Sequence, residues 1–230
     1  MSESVSQAQA SQGPRPGQNI VVLVEPEIPA NTGNISRTCV LTGSALHLVE
    51  PLGFSLDDRY LKRAGLDYWQ DLEVKIWPDL ATFAAWLESV CPASQTSDAA
   101  SMQSKTAAEQ AVTAALNNSQ TAGVDQSVTA TLKSSQTAGA NQQQLILRPF
   151  YATTHGENSL ADVRIAPHET SILIFGKETA GLPKPFLAEH PERCVRIPMI
   201  HHHSRSLNLS NSVAIFLYEV LRQQGYPELS

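Results

Sequence analysis

Short apolar runs alternate along this chain with longer stretches in which apolar residues recur at helical spacing. Ile20–Val24 is a continuous apolar run, which is typical of a strand buried on both faces. Ala45–Val49 is the next predicted strand. Three later segments are also predicted to be strands: Ile146–Thr153, Ile172–Phe175 and Cys194–Ile197.

Two helices are predicted in the first half of the chain. The first covers Asn31–Thr42, and Asn31 or Thr32 is expected to cap its N-terminus. Asp79 is expected to cap the second helix. The apolar residues of that helix lie at helical spacing: Phe83, Trp86, Leu87 and Val90.

A long helix is predicted after Asn208. Gly225 ends it, and Pro227 prevents its continuation. The alternation of strands and helices predicts an α/β domain, with a mainly parallel sheet and helices on both faces. Ligands of such sheets bind at loops beyond the carboxyl ends of the strands. One side of the long helix is apolar: Val213, Phe216, Leu217, Val220 and Leu221.

Composition divides the chain into a tail, one domain and an insertion. Met1–Gln18 is interpreted as a flexible tail, and residues 19–230 as a single domain. Residues 92–144 are dominated by Ala, Ser, Thr and Gln, and they contain Ser-Gln-Thr-Ala-Gly at both Ser119–Gly123 and Ser135–Gly139. Such a segment buries too little apolar surface to offset its ordering entropy. We interpret it as a low-complexity insertion; a linker between two domains is the alternative.

Charge and cysteine content narrow the function classes. The net charge of −6, from 16 basic and 22 acidic residues, argues against a surface that is basic throughout, but it leaves room for a local basic patch. Cys39, Cys91 and Cys194 form no Cys-x-x-Cys pair, so neither a disulfide framework nor a zinc site is expected. No signal-peptide pattern and no apolar stretch of ~20 residues is present, so we expect a cytoplasmic protein without a membrane partner.

Asn31–Arg37, with the sequence Asn-Thr-Gly-Asn-Ile-Ser-Arg, directly follows the first predicted strand. Asn31 and Arg37 do not share a helical face at this spacing, but both can approach one ligand if Asn31 lies in the loop. The guanidinium of Arg37 offers a fixed fork of donors that suits phosphate. A helix cap and a solvated surface arginine are the alternative interpretation.

A second candidate segment, Phe175–Pro183, also follows a predicted strand. Gly176 and Gly181 permit close approach of the backbone to a ligand, and Glu178 between them can accept hydrogen bonds. The segment has neither the Gly-Lys-Ser/Thr ending of a phosphate loop nor a Gly-x-Gly-x-x-Gly pattern. An ordinary turn between a strand and a helix is the alternative.

The third candidate segment joins Ile197-Pro-Met to Ser206–Ser212 through a histidine-rich loop. Its polar residues precede the long helix, where they can satisfy open N–H groups and also hold a polar ligand; capping alone is the alternative. The consecutive side chains of His201–His203 diverge, and no cysteine or carboxylate cluster accompanies them, so no metal site is expected. Ser206 lacks the Gly-x-Ser-x-Gly context of a hydrolase nucleophile.

Taken together, these segments resemble the motifs of the SPOUT-class RNA 2′-O-methyltransferases, and most closely those of the TrmL/YibK family that modifies the tRNA wobble position. The likeness covers nearly all of residues 19–227 outside the insertion. It departs from the family pattern in the tail, in the insertion and in the three histidines. It rests on six segments: Glu25–Ile35 (Glu-Pro-Glu-Ile-Pro-Ala-Asn-Thr-Gly-Asn-Ile), Arg63–Tyr68 (Arg-Ala-Gly-Leu-Asp-Tyr), Phe175–Pro183, Arg196–Met199 (Arg-Ile-Pro-Met), Ser204–Asn211 (Ser-Arg-Ser-Leu-Asn-Leu-Ser-Asn) and Gly225–Pro227.

The resemblance implies a C-terminal trefoil knot that binds S-adenosyl-L-methionine (SAM), and a homodimer. Knots are nearly absent from proteins in general, so hydrophobic periodicity could not predict one. By matching residues to the family motifs, the resemblance places Ala152, Gly176, Ile197 and Ser206 in the SAM pocket. It gives catalytic and RNA-positioning roles to Asn31, Arg37, Glu178, Ser206 and Asn208.

The implied reaction is methyl transfer to the ribose 2′-oxygen of the wobble nucleotide, with the anticodon region of tRNA, and no DNA, as the partner. Arginine is a poor base at neutral pH, so we expect Arg37 to hold a phosphate and to stabilise developing alkoxide charge. The alternatives are another tRNA position, rRNA, or a catalytically idle RNA-binding module. A local basic patch is expected to offset the acidic net charge: Arg37, Arg59, Lys62, Arg63 and Arg205.

Overall fold

The sheet has seven strands, in the order β3-β2-β1-β6-β4-β7-β5, and every neighbouring pair is parallel. The structure is a computed structural model that describes residues 15, 17–56, 71–92, 146–200, 206–227 and 229. The strands are β1 (Ile20–Val24), β2 (Ala45–Val49), β3 (Val74–Trp77), β4 (Ile146–Ala152), β5 (Asn158–Ser159), β6 (Glu169–Phe175) and β7 (Cys194–Arg196).

Helices cover both faces of this sheet. Side chains of β1 alternate between two cores: Val21 and Leu23 belong to one, and Ile20, Val22 and Val24 to the other. The predicted α/β class with a mainly parallel sheet is therefore confirmed. The helices are α1 (Pro29–Leu41) and α4 (Leu209–Gln224) on the first core, and α2 (Leu80–Val90) and α3 (Lys184–Glu189) on the second, where a 3₁₀ turn (Pro191–Arg193) follows α3.

The start of α1 differs from the prediction. The helix begins at Pro29, after Ile28, and no side chain of its own caps it. Proline is favourable in the first turn because its missing N–H would have no helical acceptor there. Asn31 and Thr32 are therefore residues of the first turn, and the prediction that one of them caps the helix is wrong.

Three other predicted helix ends are confirmed: the start of α2 and both ends of α4. Asp79 accepts a hydrogen bond from the backbone N–H of Thr82 over 2.7 Å at the start of α2. Asn208 accepts from the N–H groups of Ser210 and Asn211 at the start of α4. Gly225 ends α4 with a φ of 79°, a left-handed conformation that glycine adopts without steric cost.

Several elements escaped the sequence pattern. β6 starts at Glu169 rather than at Ile172, and its first residues are polar, although Thr170 and Ser171 are fully buried. Thr170 accepts from the N–H of Gly17, and the N–H of Ser171 donates to Asn19. The edge strand β3, the short β5 and the six-residue α3 are too short to show a clear period.

Strands from both sides of residues 93–145 lie in one sheet, and the described residues up to Cys91 and from Ile146 onward belong to one compact unit. The predicted insertion lies almost wholly outside the described residues, as does most of the N-terminal tail, so both interpretations stay predictions. Among the helices that the structure describes, none combines the length and the apolar character needed to cross a bilayer.

Candidate functional site

A cavity of about 530 Å³ opens at the carboxyl ends of β4, β6 and β7. Three loops and the start of α4 form its walls, as expected for a ligand site in a parallel sheet. The predicted residues that line it come from all three candidate segments and from the end of β4: Asn31, Ala152, Gly176, Glu178, Ile197, Ser206 and Asn208.

Arg37 is the predicted residue that does not line the cavity. It lies on the exposed side of α1, six positions after Asn31, and points to a different face of the helix. Most of the predicted basic patch lies outside the described residues, as do the three histidines: Arg59, Lys62, Arg63, Arg205 and His201–His203. Within the described part of the chain, no cluster of His, Cys, Asp or Glu is arranged to hold a metal ion.

A chain of hydrogen bonds joins the three candidate segments. Asn208 Nδ2 donates to Asn31 Oδ1 over 3.0 Å. Asn31 Nδ2 donates in turn to Glu178 Oε1 over 2.8 Å. Asn31 is buried, and so both ends of its amide are satisfied by side chains that the sequence places far away. The three segments are therefore held together by side chains, and not only by the sheet.

The Glu178 carboxylate also completes the start of α1. Its Oε2 accepts from the N–H of Glu27 over 2.8 Å, and its Oε1 accepts from the N–H of Ile28 over 3.3 Å. A carboxylate is favourable at a helix N-terminus because it meets open N–H groups and the positive end of the helix dipole. Glu178 thus stabilises the entry of α1, which has no side-chain cap of its own, and it also lines the cavity.

Two further contacts fasten the same loops, and sequence reasoning missed both. Glu27 accepts from the N–H and from the hydroxyl of Thr179, over 3.1 and 3.0 Å. Lys177 Nζ lies 2.6 Å from Glu25 Oε2, and this hydrogen bond raises the pKa of Lys177. Both glutamates belong to the Glu-Pro-Glu of the quoted motif, which was the available signal. Their role in the structure is to join the loop after β1 to the loop after β6.

Gly176 is required by close packing within its own loop. A Cβ on Gly176 would lie 2.0 Å from the carbonyl carbon of Gly181 and 2.1 Å from the nitrogen of Leu182. Gly181 has a φ of +69°, and its N–H donates to the carbonyl of Lys177 over 2.8 Å. The two glycines therefore close the loop on itself, which fixes the wall of the cavity.

The cavity combines apolar walls with polar groups. Leu182, Leu187 and Ile197 supply flat apolar surface, and Ser206 and Asn208 supply side-chain polar groups at the start of α4. Such a combination suits a ligand that has both an apolar ring system and hydroxyl groups.

Comparisons with known proteins identify the family of this chain. The model of the SpoU rRNA methylase family matches residues 18–124 and 96–218. The chain belongs to the SpoU rRNA methylase family. All three candidate segments begin within the matched residues.

A curated relative and a solved structure are similar to this chain over most of its length. A tRNA (cytidine(34)-2′-O)-methyltransferase of Aeromonas hydrophila subsp. hydrophila is 38% identical over 207 residues, which are 90% of this chain and 94% of that protein. A structure solved for insights into the 2-OH methylation of C/U34 on tRNA is 31% identical, with a TM-score of 0.60 over 91% of this chain and 97% of that one.

A more distant SpoU methyltransferase, AviRb from Streptomyces viridochromogenes in complex with the cofactor AdoMet, is 20% identical. Its TM-score is 0.58 over 92% of this chain and 60% of that chain. At this identity the likeness concerns the fold alone.

Proposed function

We propose that this protein transfers a methyl group from SAM to the ribose 2′-oxygen of the tRNA wobble nucleotide, a cytidine or uridine. Family membership and the activities named for its relatives support this proposal. The single observation that carries it is the cavity in which Asn208, Asn31 and Glu178 join three distant segments of the chain.

The cavity fits SAM in size and chemistry. Its volume of about 530 Å³ lies within the range of small-molecule sites, and one of its walls is a loop in which Gly176 admits no side chain. Ala152, Gly176, Ile197 and Ser206 would hold the cofactor. When bound, SAM supplies an electrophilic methyl group. The described residues contain no group of side chains arranged to hold a metal ion, and the proposed reaction requires none.

On the substrate side, the role of these residues is positioning. Attack on a methyl group must be in line, so fixing the ribose oxygen supplies much of the rate. Glu178 and Asn31 hold the loops together through their hydrogen bond. Asn208 and Ser206 contribute polar groups to the lining of the cavity. Arg37 would hold the adjacent phosphate and stabilise the alkoxide that forms as the 2′-hydroxyl loses its proton to phosphate or water.

The position of Arg37 favours a homodimer. Arg37 lies outside the cavity lining, on an exposed face of α1 that also carries Leu41, which is 60% exposed. The packed neighbour α4 exposes Ile215 and Tyr218 one turn apart, at 41% and 47%. Apolar side chains on adjoining helices suit an interface between two copies. We propose that pairing covers them and brings Arg37 of one copy to the cavity of the other.

Two further features belong to this proposal. The three described cysteines are free and buried, which suits the reducing cytoplasm where tRNA is modified. The C-terminal trefoil knot is proposed on the resemblance alone.

A second candidate substrate is rRNA, because the matching family is described as rRNA methylases. Incubation with methyl-labelled SAM and either bulk tRNA or ribosomal RNA separates the two. We expect label in tRNA. Label confined to rRNA would identify rRNA as the substrate in place of tRNA. Binding of SAM in calorimetry without label in either RNA would indicate a catalytically idle RNA-binding module.

A further inference from the structure

Lys184 is a cation on the wall of the cavity, at the first position of α3. It follows Pro183 and is exposed, and it lines the cavity together with Leu187, one turn later on the same helix. Residues three apart lie on one helical face, so this face of α3 forms a wall of the site. Lys184 therefore lines the cavity together with the apolar residues Leu182 and Leu187.

The other permanently charged side chains that line the cavity, Lys177 and Glu178, already have partners within the protein. Lys177 Nζ is paired with Glu25 at 2.6 Å, and the Glu178 carboxylate accepts three N–H groups. In the described part of the chain, no side chain forms an ion pair or a hydrogen bond with Lys184. It is thus a lysine of the lining whose charge has no counterpart among the described residues.

We propose that Lys184 binds the carboxylate of the amino-acid end of SAM and so selects the intact cofactor. This inference rests on the proposed function. SAM has one anionic group, its carboxylate, beside a sulfonium and an ammonium that are both positive. A binding site therefore gains from one cation at that end, and lysine meets a carboxylate as a compact point charge on a flexible stem. Phosphate of the RNA backbone is the competing partner for such a lysine.

Two ligands isolate the carboxylate contact. S-adenosylhomocysteine retains the amino-acid end, whereas 5′-methylthioadenosine lacks it. Because the ion pair is partly exposed, we expect Lys184→Gln to weaken S-adenosylhomocysteine binding by about fivefold. The same substitution should leave methylthioadenosine affinity unchanged, as measured by calorimetry on the full chain. Lys184→Arg should keep most of the preference for S-adenosylhomocysteine over methylthioadenosine, because it keeps the positive charge.

Lys177→Gln is the matched control, since it removes a lysine charge from the same cavity but one that Glu25 already pairs. It should leave the ratio of the two affinities as in the wild type. In addition, raising the salt concentration should reduce the ratio of S-adenosylhomocysteine affinity to methylthioadenosine affinity for the wild type but not for Lys184→Gln.

Three outcomes would overturn the inference. Equal losses for both ligands would indicate a general effect on the cavity. Unchanged S-adenosylhomocysteine affinity with a raised KM for tRNA would assign Lys184 to the RNA backbone. Failure of the wild type to bind S-adenosylhomocysteine at all would overturn the proposed function itself, and the assignment of Lys184 with it.

Discussion

Asn208 Nδ2 donates to Asn31 Oδ1 over 3.0 Å, although the two residues are 177 positions apart in the chain. The same Asn208 uses its Oδ1 to cap α4, accepting from the N–H of Ser210 over 2.9 Å. One side chain therefore both starts the last helix and fastens that helix to the entry of α1. The cavity depends on this connection, because its walls come from both places.

Asn208→Asp separates these two tasks. Aspartate caps a helix as well as asparagine does, so α4 should remain folded. It cannot donate to Asn31, and an unmade hydrogen bond at a buried partner is expected to lower S-adenosylhomocysteine affinity about tenfold. Calorimetry and circular dichroism together measure both effects. Ser210→Ala is the control, because it removes only the 2.7 Å hydroxyl contact on the capping side. An affinity loss in the control equal to that of Asn208→Asp would contradict the role of Nδ2.

The two glycines of the loop after β6 make a second test. Gly176→Ala would place a Cβ 2.0 Å from the Gly181 carbonyl carbon, so we expect a loss of about 3 kcal/mol in the free energy of unfolding. Gly181→Ala meets open space and strains only its φ of +69°, which costs about 1 kcal/mol. Denaturant titration measures both. The steric account fails if the two variants lose equal stability.

The parts of the fold that the sequence predicts correctly are those that depend on neighbouring residues, such as apolar runs and helix-capping residues. The apolar run Ile20–Val24 is an entirely buried strand, and the ends of α4 follow from Asn208 and Gly225. The start of α1 was mispredicted because its cap is not local. The carboxylate that meets its N–H groups belongs to Glu178, about 150 residues further along the chain. No periodicity in the sequence reports such a partner.

Acidification should destabilise the protein through His47. This histidine is buried against the rings of Trp77 and Trp86, at centroid distances of 5.8 and 5.5 Å. Burial, and then the charge of Lys75, lowers the pKa of His47 from 6.5 to about 3. The unfolded chain therefore takes up a proton at a pH where the folded chain does not. Stability from this group is full above 6.5 and falls as the pH drops towards 3, by up to about 1.4 kcal/mol per pH unit.

Denaturant titrations between about pH 7 and about pH 5 measure that slope, above the range where most carboxylates titrate. His47→Leu should give a flatter profile than the wild type. His155→Gln changes an exposed histidine and should reproduce the wild-type profile. A wild-type slope that persists unchanged in His47→Leu would assign the pH dependence to another group.

Mixed dimers test the proposed action of Arg37 across the interface. Arg37→Ala and Ser206→Ala should each be nearly inactive as homodimers. In a heterodimer of the two variants, the chain with Arg37→Ala keeps an intact cavity, and that cavity faces the intact Arg37 of the other chain. If Arg37 acts on the cavity of the other copy, this heterodimer regains up to about half of the wild-type activity. Co-expression with two affinity tags yields the heterodimer for a methyl-transfer assay. Action within one copy predicts no restoration, because each chain then carries one defect.

The site itself was predictable only in part. The resemblance supplied the residues that line the cavity, but their chemistry came from the structure. Glu178 is predicted to accept hydrogen bonds from a bound group, and the fold adds contacts that the sequence does not indicate, because its carboxylate accepts from Asn31 and from two backbone N–H groups. Glu25 and Glu27 likewise act through contacts to Lys177 and Thr179, which only the fold brings near.

The most direct test of the account compares two tRNA substrates that differ in one oxygen atom. One carries an ordinary wobble ribose, and the other carries a 2′-deoxyribose at that nucleotide alone. With methyl-labelled SAM, we expect label in the first, mapped by nuclease digestion and mass spectrometry to the wobble nucleotide, and none in the second. Equal labelling of both substrates, or label mapped to any other nucleotide, would contradict the assignment.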